Sequence, residues 1–473
     1  MNKRNPKSKY DFDLIVIGCG PAGQRAAVQA AKIRKSVAII DKREVVGGVC
    51  VHTGTIPSKS FKEAVVFLSG YRQRSVYGAG YRVKSHIEMA DLTFRCHRIM
   101  QIEIDVIHHQ LRRNKIEILP GHARFVDDHT VEIESTEGVI QKTAEKILIA
   151  VGAVPRRIEG IPFDGTHIYD SDDILKMDRL PRDLAVVGGG VIGTEYASMF
   201  AALGVNVTII DIQKRLLSFV DEEIIECLQY QLRSLGVTLR LGEEVESCEV
   251  KPETHQVVTR LKSGKVIVSE AVLFSAGRMS ATADLGLETV GIPADSRGRI
   301  TVNENFQTNH SHIYAAGDVI GFPALASTSG AQGRLVSCHA FGIRDKVEEG
   351  DLPYGIYSIP EISFVGKSEE ELTKEGVPYE TGIARYREIA RGHILGDENG
   401  MLKLLIHRES LEILGVHIIG EYATELIHIG QAVMALKGDL RYFRDTVFNY
   451  PTLAECYKVA AYDGYNKIRL GTT

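Results

Sequence analysis

Two segments of the sequence repeat one pattern without a gap, and this repeat strongly limits the possible folds. They run from Asp13 to Asp41 and from Asp183 to Asp211. Each has an apolar strand, a GxGxxG turn, a helix rich in small residues, a second apolar strand and a final aspartate. In this setting the glycines permit a tight turn, close approach of a pyrophosphate and close packing of helix on strand. The repeat therefore predicts two Rossmann-like units that each bind a dinucleotide.

The positions within each repeat predict which residues contact the dinucleotide. The helix N-terminus presents unpaired N–H groups to phosphate, and the final acid accepts hydrogen bonds from a ribose. The predicted contacts are Gly18, Gly20, Pro21, Ala22, Gly23, Asp41 and Lys42 in the first copy, and Gly188, Gly190, Ile192, Gly193 and Asp211 in the second. A single copy would also be explained by glycines that serve only as turn residues. Two matched copies instead favour two dinucleotides, one resident and one exchanging.

Two segments flank the second repeat like the edges of an inserted domain. Lys146–Arg156 and Ala271–Ser280 each run from an apolar strand into a glycine turn, at Gly152 and Gly277. A further strand, within His312–Gly321, ends in Gly317 and Asp318, and a helix is predicted after it. An aspartate at a strand end is either a satisfied turn residue or a partner for a ligand hydroxyl, and the second interpretation is preferred here.

The chain of 473 residues is too long for one hydrophobic core, so several domains are expected. From Tyr354 onward the pattern changes to alternating strands followed by helices, which is typical of a separate α+β domain. The fold class predicted is therefore α/β, with two Rossmann-like domains followed by an α+β domain. The predicted segments are 1–152 (first dinucleotide domain), 153–276 (inserted domain), 277–350 (second part of the first domain) and 351–473 (C-terminal domain).

Composition excludes several other classes of function. A net charge of -5 gives no reason to expect nucleic-acid binding, and no apolar run has the roughly 18 residues of a membrane span. The basic start, MNKRNPKSKYDFD, is not followed by a signal-peptide core, and it is predicted to be a frayed extension rather than a nucleic-acid-binding arm. Seven cysteines without a CxxC pair or zinc-ligand spacing predict a reducing cytoplasm and no metal site. The neighbouring pair His108 and His109, on a predicted amphipathic helix, is not expected to bind a metal.

Other motifs carry a family resemblance. Besides the two glycine turns, the sequence contains three further motifs: GGVCVHTGTIPSK from Gly47 to Lys59, the AAGD segment, and FNYPTLAE near the C-terminus. In combination they resemble the pyridine nucleotide-disulfide oxidoreductase family over nearly the whole chain. The resemblance implies a homodimer, FAD on the first turn with Asp41 and Asp318, NAD(P)H on the second turn, and a C-terminal dimerisation domain. The other predicted cofactor contacts are Gly48, Cys50, Thr55, Ser58, Lys59, Ala123, Gly152, Glu195, Gly277, Gly317, Leu325 and Ala326.

The sequence departs from the disulfide reductases of this family at two places. Those enzymes carry two cysteines with four residues between them, and a histidine before a proline near the C-terminus, which a glutamate orients. Here Thr55 replaces the second cysteine and Tyr450 replaces the histidine, while Glu455 remains. A threonine hydroxyl cannot form a disulfide, and tyrosine, with a pKa of about 10, is a poor base at neutral pH. Disulfide reduction by the family mechanism is therefore expected to be lost.

One branch of the family, the soluble pyridine nucleotide transhydrogenases, resembles the chain in both departures. The branch implies ping-pong hydride exchange between NADPH and NAD⁺ through FAD, without a redox disulfide. It also implies that Lys59 is the electrostatic partner of the flavin and that Glu195 pairs with Lys59. Tyr450 is expected to pack near the flavin across the dimer, and the family's cis bond predicts a cis Tyr450–Pro451 peptide.

Nucleotide preference is harder to predict for such an enzyme. Asp211 favours the 2′-OH of NAD and repels the 2′-phosphate of NADP, so tighter binding of NADH is expected. Lys214 and Arg215 lie close enough in sequence to offset that repulsion, although Arg215 is equally well explained as a structural ion pair.

Three alternatives remain open. An NADH-dependent diaphorase that reduces quinones would suit Asp211 better, whereas Thr55 and Tyr450 argue against a dihydrolipoamide dehydrogenase. A nucleotide-binding redox sensor without turnover would use Cys50 as its switch. Otherwise Cys50 is a small packed side chain beside the cofactor.

Overall fold

The structure is a computed structural model that describes residues 9–345 and 350–470. The first eight residues of the predicted N-terminal extension lie outside the described residues. The chain divides into two compact units, each made of three stretches of sequence. The first comprises Met1–Ser60, Thr93–Arg156 and Gly277–Glu348, and the second Phe61–Leu92, Arg157–Ala276 and Glu349–Thr473. The finer division into four domain segments stays a prediction.

The helices of the described part are, in chain order, α1 (Pro21–Lys32), α2 (Gly48–His52), α3 (Thr55–Leu68), α4 (Arg74–Tyr77), α5 (Met89–Arg113), α6 (Val191–Ala202), α7 (Glu222–Ser234), α8 (Ala326–Ala340), α9 (Glu369–Glu375), α10 (Ala390–Leu395), α11 (Ala423–Ala435), α12 (Leu440–Asp445) and α13 (Glu455–Leu470). In the described ranges, no helix combines the length and the apolar character that a membrane span needs.

The strands of the first unit are β1 (Phe12–Ile17), β2 (Val37–Asp41), β3 (Glu117–Pro120), β4 (His122–Phe125), β5 (Thr130–Ser135), β6 (Gly138–Ile149), β7 (Ala153–Pro155), β16 (Arg278–Ser280) and β17 (Ile313–Ala315). Those of the second unit are β8 (Ile168–Asp170), β9 (Asp183–Val187), β10 (Asn206–Asp211), β11 (Thr238–Leu241), β12 (Val245–Lys251), β13 (Gln256–Leu261), β14 (Val266–Ser269), β15 (Ala271–Phe274), β18 (Tyr354–Ile356), β19 (Ile362–Gly366), β20 (Tyr379–Arg385), β21 (Met401–His407) and β22 (Ile413–Ile419).

The first unit is built around a seven-stranded sheet of order β3-β2-β1-β6-β5-β4, with β17 also paired to β6. β1 pairs in parallel with β2, in the register Leu14 to Val37, and with β6. Buried apolar side chains of β1 and β2 make these strands the core, and the small-residue helix α1 is joined to α8 by the hydrogen bond from Ser337 Oγ to Ala26 O, at 2.7 Å. Parallel strands end at one edge, so the turns after β1, β2, β6 and β17 are brought together.

The second unit contains the second repeat and the C-terminal region. β9, α6 and β10 form part of a parallel five-stranded sheet of order β11-β10-β9-β15-β8. A three-stranded antiparallel sheet follows, β12-β13-β14. The C-terminal region has an antiparallel five-stranded sheet of order β18-β19-β22-β21-β20, with α11 and α13 in contact with it. The predicted fold class, two Rossmann-like units followed by an α+β region, is confirmed.

Candidate dinucleotide-binding sites

The first glycine turn has the shape that its sequence predicts. Gly18 has φ +108°, and a Cβ there would lie 2.3 Å from the main-chain oxygen of Ala150. A Cβ on Gly23 would lie 1.9 Å from Gly18 O. By contrast, Gly20 is in an extended conformation before α1, and a Cβ there would meet no atom within 4 Å. Gly18 and Gly23 therefore make the turn possible, while Gly20, the middle glycine, leaves open space at the start of α1.

A cavity of about 460 Å³ lies in the first unit in front of this turn. Most of the predicted contacts line it: Gly18, Gly20, Pro21, Ala22, Asp41, Lys42, Gly48, Cys50, Thr55, Ala123, Gly152, Gly317, Asp318 and Ala326. Five predicted residues of the same unit, Gly23, Ser58, Lys59, Gly277 and Leu325, are outside this lining. Sequence analysis missed several polar lining residues, namely Arg43, His122, Ser280, Asp284 and Ser329.

The aspartate at the end of β2 is part of the turn. Asp41 is buried, and its Oδ2 accepts a hydrogen bond from the Cys19 N–H at 2.8 Å. Its Oδ1 accepts one from the Arg43 N–H at 3.0 Å. Since each carboxylate oxygen accepts more than one hydrogen bond, the side chain can hold the loop and still receive a ribose hydroxyl.

Asp318 follows β17, at the same end of the sheet as Asp41. Burial raises the pKa of its carboxyl group, while Arg278 and the Ser329 hydroxyl act in the other direction. Ser329 Oγ donates to Asp318 Oδ1 at 3.4 Å, which is a long hydrogen bond. A half-buried carboxyl group with one long hydrogen bond from its own chain is suited to a ligand hydroxyl.

The segment from Gly47 to Lys59 forms two short helical pieces against this turn. Gly48 has φ +62°, and a Cβ there would lie 2.8 Å from Gly20 Cα, so α2 contacts the glycine turn directly. Cys50 lies in α2 and Thr55 begins α3. Burial raises the pKa of the Cys50 thiol, while the nearby Thr55 side chain acts in the other direction. The hydroxyl therefore stands where a second thiol would have to stand for a disulfide.

Ser58 and Lys59 occupy the next turn of the helix α3. Ser58 is buried, and its Oγ donates to Thr55 O at 3.3 Å. Lys59 is half-buried. Both are thus held by the helix that begins at the cavity, although neither lines it.

The second glycine turn repeats the first in detail. Gly188 has φ +107°, and a Cβ on Gly193 would lie 1.9 Å from Gly188 O. Gly190 is extended, with φ -76° as at Gly20, and a Cβ there would meet nothing within 4 Å. Ile192 lies half-buried in the first turn of α6, and Gly277 has φ +102°. The two copies therefore share one conformation as well as one sequence pattern.

The acid of the second repeat has the same role, but its basic neighbours differ from each other. Asp211 accepts hydrogen bonds from the N–H groups of Gly189 and, at 2.6 Å, Gln213. Arg215 Nη1 lies 3.2 Å from Glu370 Oε1. Arg215 is therefore part of a structural ion pair, which is one of the two explanations that the sequence allowed. Lys214 is exposed, and it is the neighbour of Asp211 that remains available to a phosphate.

Glu195 lies in α6, two residues after Gly193, and only 3% of it is exposed. Its Oε1 accepts a hydrogen bond from the Tyr357 N–H at 2.8 Å. The sequence contained no sign of this partner, because Tyr357 is far away in the chain. The predicted pairing of Glu195 with Lys59 stays a prediction.

The C-terminal motif confirms one prediction. The Tyr450–Pro451 peptide is cis. The side chain of Tyr450 is exposed, and Glu455 Oε2 is buried without a hydrogen-bond partner among the described residues. The replacement of histidine by tyrosine therefore leaves the local backbone turn in the predicted form.

One group of side chains in the described ranges has metal-ligand character. Single ligand atoms of Asp128, His310 and His312 all lie within 4.8 Å of one another. His310 Nε2 lies 2.7 Å from Val290 O, and His312 Nε2 lies 2.8 Å from Asp128 O, so both rings donate to main-chain carbonyls. These hydrogen bonds account for the cluster as a structural feature, and no metal role is assigned to it.

Comparisons with known proteins agree with this geometry. Residues 12–333 match the model of the pyridine nucleotide-disulphide oxidoreductase family, and residues 352–461 match its dimerisation domain. A soluble pyridine nucleotide transhydrogenase of Mycobacterium bovis is 52% identical over 97% of this chain and 98% of its own. That of Colwellia psychrerythraea is 43% identical over 98% of this chain and 100% of its own. The HOCl-induced flavoprotein disulfide reductase RclA of Escherichia coli matches in structure with a TM-score of 0.87 and 27% identity, over 95% of this chain and 99% of that chain.

Proposed function

The chain belongs to the pyridine nucleotide-disulphide oxidoreductase family, and we propose that it exchanges hydride between NADPH and NAD⁺ without a redox disulfide. The observation that carries this proposal is the lone thiol of Cys50 in a cavity that Thr55, in place of a second cysteine, also lines, in a chain that keeps both dinucleotide turns. The relatives that are 52% and 43% identical, both named soluble pyridine nucleotide transhydrogenases, support it.

The residues of the first unit fit FAD. The open space at Gly20, the N–H groups at the start of α1 and the ribose acceptor Asp41 suit the dinucleotide part. Asp318 suits a hydroxyl of the ribityl chain. Bound FAD would supply a ring that accepts a hydride from one nicotinamide nucleotide and returns it to another. The second turn, with Gly190 and Asp211, would hold these nucleotides one after the other.

Lys59 and Glu195 are the proposed catalytic pair. The ammonium group of Lys59 would stabilise negative charge that develops on the ring, and Glu195 would orient that ammonium group. A dimerisation domain implies a homodimer, and we assign Tyr450, exposed in the single chain, to packing beside the partner's cofactor.

Replacement of Cys50 by serine tests the absence of a thiol relay. Burial raises the pKa of the thiol, so the thiolate that disulfide exchange needs is disfavoured at neutral pH. We expect Cys50→Ser to keep the rate of NADPH-to-NAD⁺ exchange within about twofold of the parent protein, because serine is nearly isosteric and no electrons pass through the side chain. Exchange assays under anaerobic conditions measure this. A loss of an order of magnitude or more would contradict the proposal.

Replacement of Lys214 by alanine tests nucleotide preference. A carboxylate at Asp211 would accept the ribose hydroxyls of NADH and repel a 2′-phosphate, so NADH is expected to bind more tightly than NADPH. Lys214, exposed three residues later, is the proposed cation for the 2′-phosphate. An exposed charge pair is worth about 1 kcal/mol, so Lys214→Ala should weaken NADPH about fivefold and leave NADH unchanged. Fluorescence titration of both nucleotides gives the two constants. Equal weakening of both, or a parent protein that prefers NADPH, would be inconsistent with these assignments.

The decisive experiment is anaerobic. The purified yellow protein is mixed with NADPH and a spectrally distinct NAD⁺ analogue, with no quinone or disulfide present. Reduction of the analogue over many turnovers per flavin is the expected result. Bleaching of the flavin without turnover would mean that another acceptor is needed.

The second candidate function is an NADH-dependent quinone reductase, favoured by Asp211 at the ribose end of the second turn. It would show fast quinone turnover and weak exchange between nucleotides.

A further inference from the structure

The buried carboxylate of Glu195 is held by a loop that the chain brings from far away. Its Oε1 accepts the Tyr357 N–H at 2.8 Å. Two residues further along, the Ile359 N–H donates to Ser198 Oγ at 2.9 Å, and Ser198 Oγ donates to Glu195 O at 2.7 Å. Helix α6 and the segment from Tyr357 to Pro360 are therefore joined over one helical turn, with Glu195 at the joint.

A buried charged pair supports this loop. Lys62, in α3, and Glu361 are both buried, at 3% and 8% exposure, and Lys62 Nζ is hydrogen-bonded to Glu361 Oε1. Lys62 Nζ also lies 5.7 Å from the centroid of the Tyr357 ring, at cation–π distance. One charged group thus contacts both the ring of Tyr357 and the residue that follows Pro360.

Thr424, in α11, closes the arrangement. Its hydroxyl donates to Glu361 Oε2 at 2.9 Å. It also acts to lower the pKa of Tyr357, against the larger effect of burial, so it lies near that side chain. Tyr357 is held at its ring face by Lys62 and at its N–H by Glu195, while Thr424 holds Glu361. Few rotations or shifts of this loop are compatible with these contacts.

A buried ion pair often contributes little net stability to a protein. Desolvation of two charges often exceeds their mutual attraction, and an apolar pair of similar volume is frequently as stable. The contacts of Lys62 and Glu361 are therefore better explained by the position that they give the loop than by the stability that they add to the fold. Lys62 also follows Lys59 by three residues in α3, and residues at this spacing lie on one side of a helix.

We propose that Lys62 and Glu361 are positioning residues that act through Tyr357 to hold the carboxylate of Glu195 in the orientation that hydride transfer requires. This inference rests on the proposed function, in which Glu195 pairs with Lys59. It gives a role in hydride transfer to the loop from Tyr357 to Glu361, which lies outside the glycine motif.

The test is a double-mutant cycle of Lys62→Met with Glu195→Gln on the FAD-loaded protein. The rate constant of flavin reduction by NADH is measured anaerobically by stopped flow, the flavin midpoint potential by equilibrium titration, and unfolding by thermal melting. We expect Lys62→Met to slow reduction about tenfold, because displacement of a catalytic group by less than 1 Å is enough for such a loss. It should also shift the midpoint potential in the same direction as Glu195→Gln does.

The decisive comparison is between the two backgrounds. If Lys62 acts through Glu195, Lys62→Met causes no further loss of rate and no further shift of potential in the Glu195→Gln protein, although its effect on melting remains. Lys62→Arg should restore most of the rate. The same loss in both backgrounds, or a rate within about twofold of the parent in Lys62→Met, would overturn the proposal.

A milder variant covers the case in which Lys62→Met does not fold. Thr424→Val removes one hydroxyl and keeps the shape, and the same non-additivity with Glu195→Gln is expected. Because the assay uses NADH alone, it is independent of nucleotide exchange. Absence of exchange in the parent protein with a non-additive cycle would refute the proposed function only. Exchange with an additive cycle would refute the positioning role only.

Discussion

Replacement of Lys59 by methionine is expected to slow flavin reduction by NADH about a hundredfold, which corresponds to about 2.7 kcal/mol of lost electrostatic stabilisation. Methionine keeps the length of the side chain and removes its charge. Lys59 lies within the helix α3, which begins at the cavity, at Thr55, and continues to Leu68. The rate constant at saturating NADH is measured by anaerobic stopped flow.

A matched control separates this effect from a general change of charge. Lys32 is exposed at the end of α1, and Lys32→Met alters the net charge equally without touching α3. We expect its reduction rate to be that of the parent protein. The FAD content and melting temperature of both variants should also match the parent. Equal rates in Lys59→Met and the parent would remove Lys59 from the catalytic pair.

Alanine at the middle glycine of each motif is expected to weaken one binding site at a time. Gly20 and Gly190 are both extended, and a Cβ on either meets no protein atom within 4 Å, so the empty fold tolerates it. The added methyl group would instead occupy the place of a phosphate. Overpacking of this kind costs about 2 kcal/mol, or about thirtyfold in affinity. Gly20→Ala should lower FAD affinity, whereas Gly190→Ala should leave FAD affinity unchanged and lower NADH affinity.

Each of these variants is the control for the other. Absorbance of the released flavin measures FAD content, and titration with NADH measures the second site. Gly23→Ala differs from both, because its Cβ would lie 1.9 Å from a main-chain oxygen and the turn itself must open. It should destabilise the protein even without a ligand. Loss of NADH binding alone in Gly20→Ala would mean that the two turns have been assigned to the wrong dinucleotides.

The repeat made most of the first site predictable. Glycine conformation, strand ends and a helix start are local properties, so the residues of the motif and Asp41 could be placed from their order in the chain. Arg43 also lies within this local range, and its place after the acid was a signal that went unused. His122, Asp284 and Ser329 gave no such signal, because the strand, turn and helix that carry them reach the cavity only through the tertiary fold.

Contacts between residues far apart in the sequence could not be predicted in this way. The role of Arg215 was undecided from sequence, since its partner Glu370 belongs to a helix more than a hundred residues away. Glu195 presented the same difficulty, because its hydrogen-bond donor is the main chain of Tyr357. Any residue has an N–H group, so no residue type marks such a donor.

By itself the sequence determined the two Rossmann-like units, the α+β region after them, the glycine turns and the replacement of a second thiol by Thr55. These follow from short-range rules of backbone conformation and side-chain chemistry. Only the tertiary structure decided that Arg215 is tied to Glu370 and that Glu195 is tied to the loop at Tyr357, with Lys62 and Glu361 behind it. Such contacts depend on how distant segments pack, and burial selects their partners by geometry rather than by spacing in the chain.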